Sequence, residues 1–195
     1  MANSEIPSVV FDEKTILDEA IARADLGPTS DFGDDAFREP MRRLLTALDE
    51  EARLNPIGRI TQYERIVGLL VNRLRTEDHI QRFPEILDEV IDRPFAIVGL
   101  GRTGTTMLHR TIASDPKIFS LKWYESRNPA PFPEAERGGS GDDPTDPTDP
   151  RIADAEAEVE MMLEASPDLI SAHPMDAHAP DEEIMLLIPF LNFSQ

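Results

Sequence analysis

Residues 97–106, IVGLGRTGTT, concentrate the residue types that hold a phosphate-like anion: three glycines, one arginine and three threonine hydroxyls. A glycine-rich turn that leads into a helix gathers unpaired backbone amides and the positive end of the helix dipole at one point. Two known spacings overlap here. Gly99, Gly101 and Gly104 fit the dinucleotide pattern G-x-G-x-x-G, and Gly99 and Gly104 also bracket a Walker-type loop. In the Walker pattern a lysine follows the second glycine and reaches the outer phosphates; that position is Thr105, so the cradle lacks the cation that a triphosphate needs. ATP or GTP hydrolysis is therefore disfavoured. A dinucleotide site expects an acidic residue about 20 residues further on, and Glu125 meets that spacing, so an NAD(P)-dependent oxidoreductase stays open. Arg102, Thr105 and Thr106 weigh against it, because a terminal phosphate monoester uses a cation and two adjacent hydroxyls better than a pyrophosphate does.

Charge isolates the same stretch. The chain of 195 residues carries a net charge of −19, which argues against a nucleic-acid surface. Residues 96–132 alone are net positive, with Arg102, Arg110, Lys117, Lys122 and Arg127 against Asp115 and Glu125. The economical reading is an anionic small-molecule ligand. Cysteine is absent, which removes disulfides and any cysteine nucleophile or zinc ligand. The first residues lack a basic segment followed by an apolar one, and no apolar run has the length of a membrane span. A cytoplasmic protein is expected.

The elements that position the loop follow from periodicity. Residues 1–93 read as a helical N-terminal region. Ile16, Leu17, Ala20, Ile21 and Ala24 form one stripe behind an Asp12 N-cap; Met41, Leu44, Leu45 and Leu48 form a second behind Pro40; Ile60, Tyr63, Ile66, Val67, Leu70, Val71 and Leu74 form a third. A short fourth helix is expected over residues 84–91. Residues 95–100, FAIVGL, have the length and composition of a buried strand, the turn opens a helix, and residues 117–123, KIFSLKW, read as a second strand. That order begins a parallel α/β sheet. A loop near 133–150, rich in Pro, Asp and Gly, is too poor in apolar residues to pack and is expected to be disordered. Helical periodicity returns over 152–163, and DEEIMLLIPFLNF, from Asp181, reads as an acid-capped buried helix. Two strands do not complete a doubly wound sheet, so the chain is expected to be the N-terminal part of a longer protein.

The residues Arg102, Thr103, Gly104, Thr105 and Thr106, followed by Met107, Leu108 and His109, resemble the loop of the sulfotransferase family. GLGRTGTTMLHRTIASDP is most similar to its bacterial branch, as are the DPRI segment at 149–152 and the HPM segment at 173–175. The resemblance runs from about 95 to 187. It implies a P-loop-like parallel sheet flanked by helices, starting at residue 94, incomplete in this chain and preceded by the helical region. It implies 3′-phosphoadenosine 5′-phosphosulfate (PAPS) as sulfuryl donor, no metal, and a small-molecule, lipid or glycan acceptor with a hydroxyl or amine. Two positions depart from the family pattern: Gly101 stands where proline is usual, and Met107 replaces an adenine-stacking tryptophan.

By that resemblance the amides of residues 103–106 and the hydroxyls of Thr105 and Thr106 hold the donor's 5′-phosphate, and Arg102 neutralises the oxygen that the sulfuryl group leaves. An alcohol acceptor also needs a proton acceptor. Glu125 follows the second expected strand, in a neighbourhood where several family members place a catalytic glutamate, and is the candidate base. His109 reads as a packed or capping residue. His173 and His178 with Asp176 and Asp181 lack helical metal-ligand spacing and read as a loop or pocket wall. A non-catalytic nucleotide-binding fragment is the remaining alternative.

Overall fold

The structure is a computed structural model that describes residues 9–27, 30–100, 102–133, 149–168 and 173–182. The expectations for the acidic loop and for the apolar C-terminal helix fall mainly on residues 134–148 and 183–195, outside the described ones. Helices dominate: α1 (Glu13–Ala24), α2 (Arg38–Glu50), α3 (Pro56–Arg82), α4 (Thr105–Ile112), α5 (Trp123–Arg127) and α6 (Pro150–Ala165). The chain divides into two compact units, one ending at Arg82 and one beginning at Phe83.

In the first unit the expected stripes become the core. The Asp12 side chain accepts the Thr15 amide at 2.8 Å and caps α1, and that bond holds its carboxyl below the usual range. Ile16, Ala20 and Ala24 of α1 and Val67 and Leu74 of α3 are fully buried where the two helices pack. Helix α2 starts two residues before Pro40, preceded by a 3-10 turn at Asp35–Phe37. Proline is tolerated there because first-turn amides have no helical acceptor. The buried Arg73 guanidinium donates to the carbonyls of Phe32 (2.6 Å) and Asp34 (2.9 Å) and lies 4.6 Å from the Phe37 ring centre. It fastens the segment before α2 to α3.

The second unit differs from the sequence expectation in its strands. Among the described residues no β-ladder forms; the single pairing is an isolated antiparallel bridge between Lys122 and Pro180. Residues 95–100 run without regular structure, and Val98 and Leu100 are 90% and 82% exposed. A strand is defined by its neighbours, and residues 95–100 have none to pair with among the described residues. Where the second strand was expected, Trp123 instead begins α5. The expected fourth helix is a 3-10 turn at Pro84–Asp88, whereas α6 forms as expected behind the Asp149 cap. Helices α5 and α6 pack through Trp123, Tyr124, Ile152, Ala155 and Val159, joined by Ala177. Arg127 clasps Glu158 at 2.8 and 2.5 Å across this interface. No helix among the described residues is long and apolar enough to cross a membrane.

Two outcomes follow. Leu74→Ala is expected to lower the unfolding free energy by about 2–5 kcal/mol, and Ile57→Ala, 67% exposed on α3, by less than about 0.5 kcal/mol; urea unfolding distinguishes them. Burial, with Glu125 beside it, pushes the Tyr124 phenol up to about 12 from an ordinary 10.0. A raised folded value means that its stabilisation is fully present below pH 10.0 and is lost as pH rises towards 12. Absorbance at 295 nm, an alkaline unfolding curve and the Tyr124→Phe variant test this: the variant should lose the later phenol titration and the matching part of the alkaline destabilisation.

Candidate functional site

The turn before α4 is built by backbone conformation. Gly104, the N-cap, is left-handed at φ 89° and ψ 14°, a state open to glycine without strain. Arg102 is also left-handed, at φ 68°, which costs an L-residue about 1 kcal/mol. Such strain is characteristic of functional loops. Gly99 underlies the turn: a Cβ there would lie 2.8 Å from Thr105 Cγ2 and 2.9 Å from Thr103 Oγ1, so any larger residue would displace the loop. The Thr103 hydroxyl donates to the Leu100 carbonyl at 2.6 Å and ties the turn to itself.

Helix α4 begins with the Leu108 amide donating to the Gly104 carbonyl at 3.1 Å. No side chain caps this end, and the amides of Thr105, Thr106 and Met107 have no acceptor within a helix that starts there. Arg102, Gly104, Thr105 and Thr106 line a cleft of about 960 Å³ together with Arg110 of α4, a volume in the range of small-molecule and cofactor sites. The expected loop residues other than Thr103 thus share one cavity. Arg110 donates to the Pro174 carbonyl at 2.6 Å, while its buried Nε has no hydrogen-bond partner among the described residues.

His173, Pro174 and Glu182 also line the cleft. The His173 ring meets the carboxylate of Asp181, Nε2 to Oδ2, at 3.1 Å. Asp181 is 4% exposed, its amide donates to the Leu121 carbonyl, and its Oδ1 accepts the Glu182 amide at 2.7 Å. His178 instead pairs with Glu156 at 3.1 Å along a separate groove, so the two histidines and their acids do not form one cluster. His109 lies on α4 without lining the cleft.

Glu125 does not line the cleft. It occupies the third position of α5, where one carboxylate oxygen accepts the Lys122 amide at 2.8 Å and the other lies 3.4 Å from the Tyr124 hydroxyl. Its carboxylate closes a capping box. Sequence reasoning did not find the part of Arg110 in the cleft or the pairing of His173 with Asp181. The second joins residues eight apart in a proline-broken segment, and no periodicity announces it.

The pattern described as "Sulfotransferase family" matches residues 94–192, just over half of the chain. A crystal structure of the sulfotransferase STF1 from Mycobacterium tuberculosis H37Rv is similar, with 28% identity and a TM-score of 0.67; the match covers 95% of this chain and 47% of that one. The chain thus spans about half the length of this solved relative. No curated protein matches the sequence. The matched region begins just before the turn, contains the uncapped start of α4 and runs through both walls of the cleft: the chain belongs to the sulfotransferase family.

Proposed function

We propose that the cleft binds the phosphate end of PAPS and transfers its sulfuryl group to a hydroxyl or amine of a small-molecule, lipid or glycan acceptor. One observation carries this reading: the uncapped start of α4, with Arg102, Thr105 and Thr106, lines a cleft of cofactor size that Arg110 also lines. The residues present suit such a group. Arg110 Nε, without a hydrogen-bond partner among the described residues, and first-turn amides with no acceptor inside the helix are donors that an anion would satisfy.

Sulfuryl transfer, like phosphoryl transfer, depends on positioning and charge stabilisation more than on covalent help. Thr105 and Thr106 hold the 5′-phosphate through hydroxyls and amides. Arg102 acts as negative charge grows on the oxygen from which sulfur departs. It lines the same cleft as Thr105 and Thr106.

Glu125 is assigned to the fold of the site. Its carboxylate holds the start of α5, the helix that carries Trp123 and Tyr124 into the core.

Titration calorimetry tests the donor reading: adenosine 3′,5′-bisphosphate should bind without added Mg²⁺, and ATP and NADP much more weakly. Tight NADPH binding with none for the bisphosphate would favour an oxidoreductase. Arg102→Ala should slow single-turnover transfer by about 3 kcal/mol, roughly 100-fold, with a smaller effect on bisphosphate affinity; equal rates in variant and parent would remove Arg102 from the mechanism. Glu125→Ala should lower stability by about 1 kcal/mol, and Glu125→Gln should keep transfer within a few-fold of the parent. A loss near 100-fold in Glu125→Gln at unchanged stability and bisphosphate affinity would identify Glu125 as the base instead.

A further inference from the structure

We infer that His173, positioned by Asp181, accepts the proton of the sulfuryl acceptor. The inference rests on the donor reading above and supplies the one function for which that reading assigns no residue. A base must lie in the space where donor and acceptor meet. His173 lines the same cleft as Arg102, Thr105 and Thr106, whereas Glu125 and His109 do not.

The ring's second nitrogen is set by the first. Asp181 is buried, and its Oδ2 lies 3.1 Å from His173 Nε2. A carboxylate at that distance holds the proton on Nε2 and leaves Nδ1 with its lone pair. Nδ1 has no hydrogen-bond partner among the described residues. The acid cannot easily turn away, because its other oxygen accepts the Glu182 amide at 2.7 Å and its own amide is fixed on Leu121. Asp181 therefore fixes the tautomer and stabilises the imidazolium that follows proton transfer, the part that a buried carboxylate plays beside a catalytic histidine in unrelated enzymes.

The step balances. The acceptor oxygen forms its bond to sulfur as the bond between sulfur and the bridging oxygen breaks, and the electron pair of that bond stays on the 5′-phosphate. The acceptor's proton passes to His173 Nδ1. The positive charge so created lies in the cleft lined by Arg102, Arg110 and Glu182, and the Asp181 carboxylate is the anion bonded to it.

The test uses the full chain with PAPS as donor, 2-naphthol as probe acceptor, and water alone in a parallel arm. His173→Ala is expected to slow single-turnover transfer at least about 100-fold, with bisphosphate affinity unchanged and part of the rate restored by added imidazole. Asp181→Asn should slow transfer by a smaller factor and reduce the Nε2-protonated form of the ring in ¹⁵N spectra. A His173→Ala variant at the parental rate, or one whose lost rate imidazole does not restore, would overturn the proposal. The ¹⁵N spectrum of the parent protein decides without any acceptor: a neutral His173 protonated on Nε2 supports the inference, and one protonated on Nδ1 refutes it. Failure of the parent to bind the bisphosphate would count against the donor reading, whichever nitrogen carries the proton.

Discussion

The cleft depends on how residues 174–181 are fastened, because this segment has no helix or ladder of its own. The Asp181 amide donates to Leu121 at 3.1 Å, the Trp123 amide to Ala179 at 3.0 Å and the Tyr124 amide to Ala177 at 3.2 Å, while Arg110 holds the Pro174 carbonyl. Each such bond contributes about 1 kcal/mol net, somewhat more where a guanidinium donates. Together they are cooperative, since the three backbone bonds also set Ala177 against Trp123 and Tyr124 in an apolar cluster. Arg110 connects that wall to the helix whose first turn forms the other. One helix therefore supplies the uncapped end that lines the cleft and the anchor for the residues opposite it.

Electrostatics reinforce this arrangement despite the charge of the whole chain. A protein at −19 repels anions at long range and gains nothing from steering. At physiological salt, interactions beyond about 8 Å are largely screened. An anion inside the cleft is governed by what lines it, which is Arg102 and Arg110 against Glu182. Among the described residues, acids elsewhere are held by cations, as Glu158 is by Arg127 and Asp149 by Arg151. The cationic window in the sequence thus divides in the structure: Arg102 and Arg110 line the cleft, Arg127 braces α5 against α6, and Lys122 lies over the Tyr124 ring.

What the sequence revealed was local. Asp12 capping α1, the stripe that runs from Ile66 to Leu74 in α3, and the helical periodicity of α6 are all read from residues within one or two turns. The turn before α4 was legible for the same reason: Gly99, Arg102 and Gly104 are defined by a turn and the helix that follows. Residues 95–100 and 117–123 misled because β-propensity describes a fit to neighbouring strands that the residues do not contain. Helix α5 was missed because five residues give no period; its signal was Glu125 three positions after Lys122, a capping relation. Arg110 in the cleft and the His173–Asp181 pair arise from tertiary folding, so their spacing in the chain is silent.

Glu125 and Asp181 show how the same functional group receives opposite assignments from its surroundings. Glu125 is half-buried on the first turn of α5, and a backbone amide takes one of its oxygens. A carboxylate oxygen occupied by the amide at the start of its own helix serves as a cap. Asp181 is the more deeply buried of the two, yet it needs no contact with the acceptor, because it acts through the imidazole that it holds. Burial costs a carboxylate hydration, and here the Glu182 amide and the His173 ring replace part of it. In the proposed transfer the proton acceptor is then the ring: the one titratable group that lines the cleft beside the loop and is held at one nitrogen, with the other left without a protein partner among the described residues.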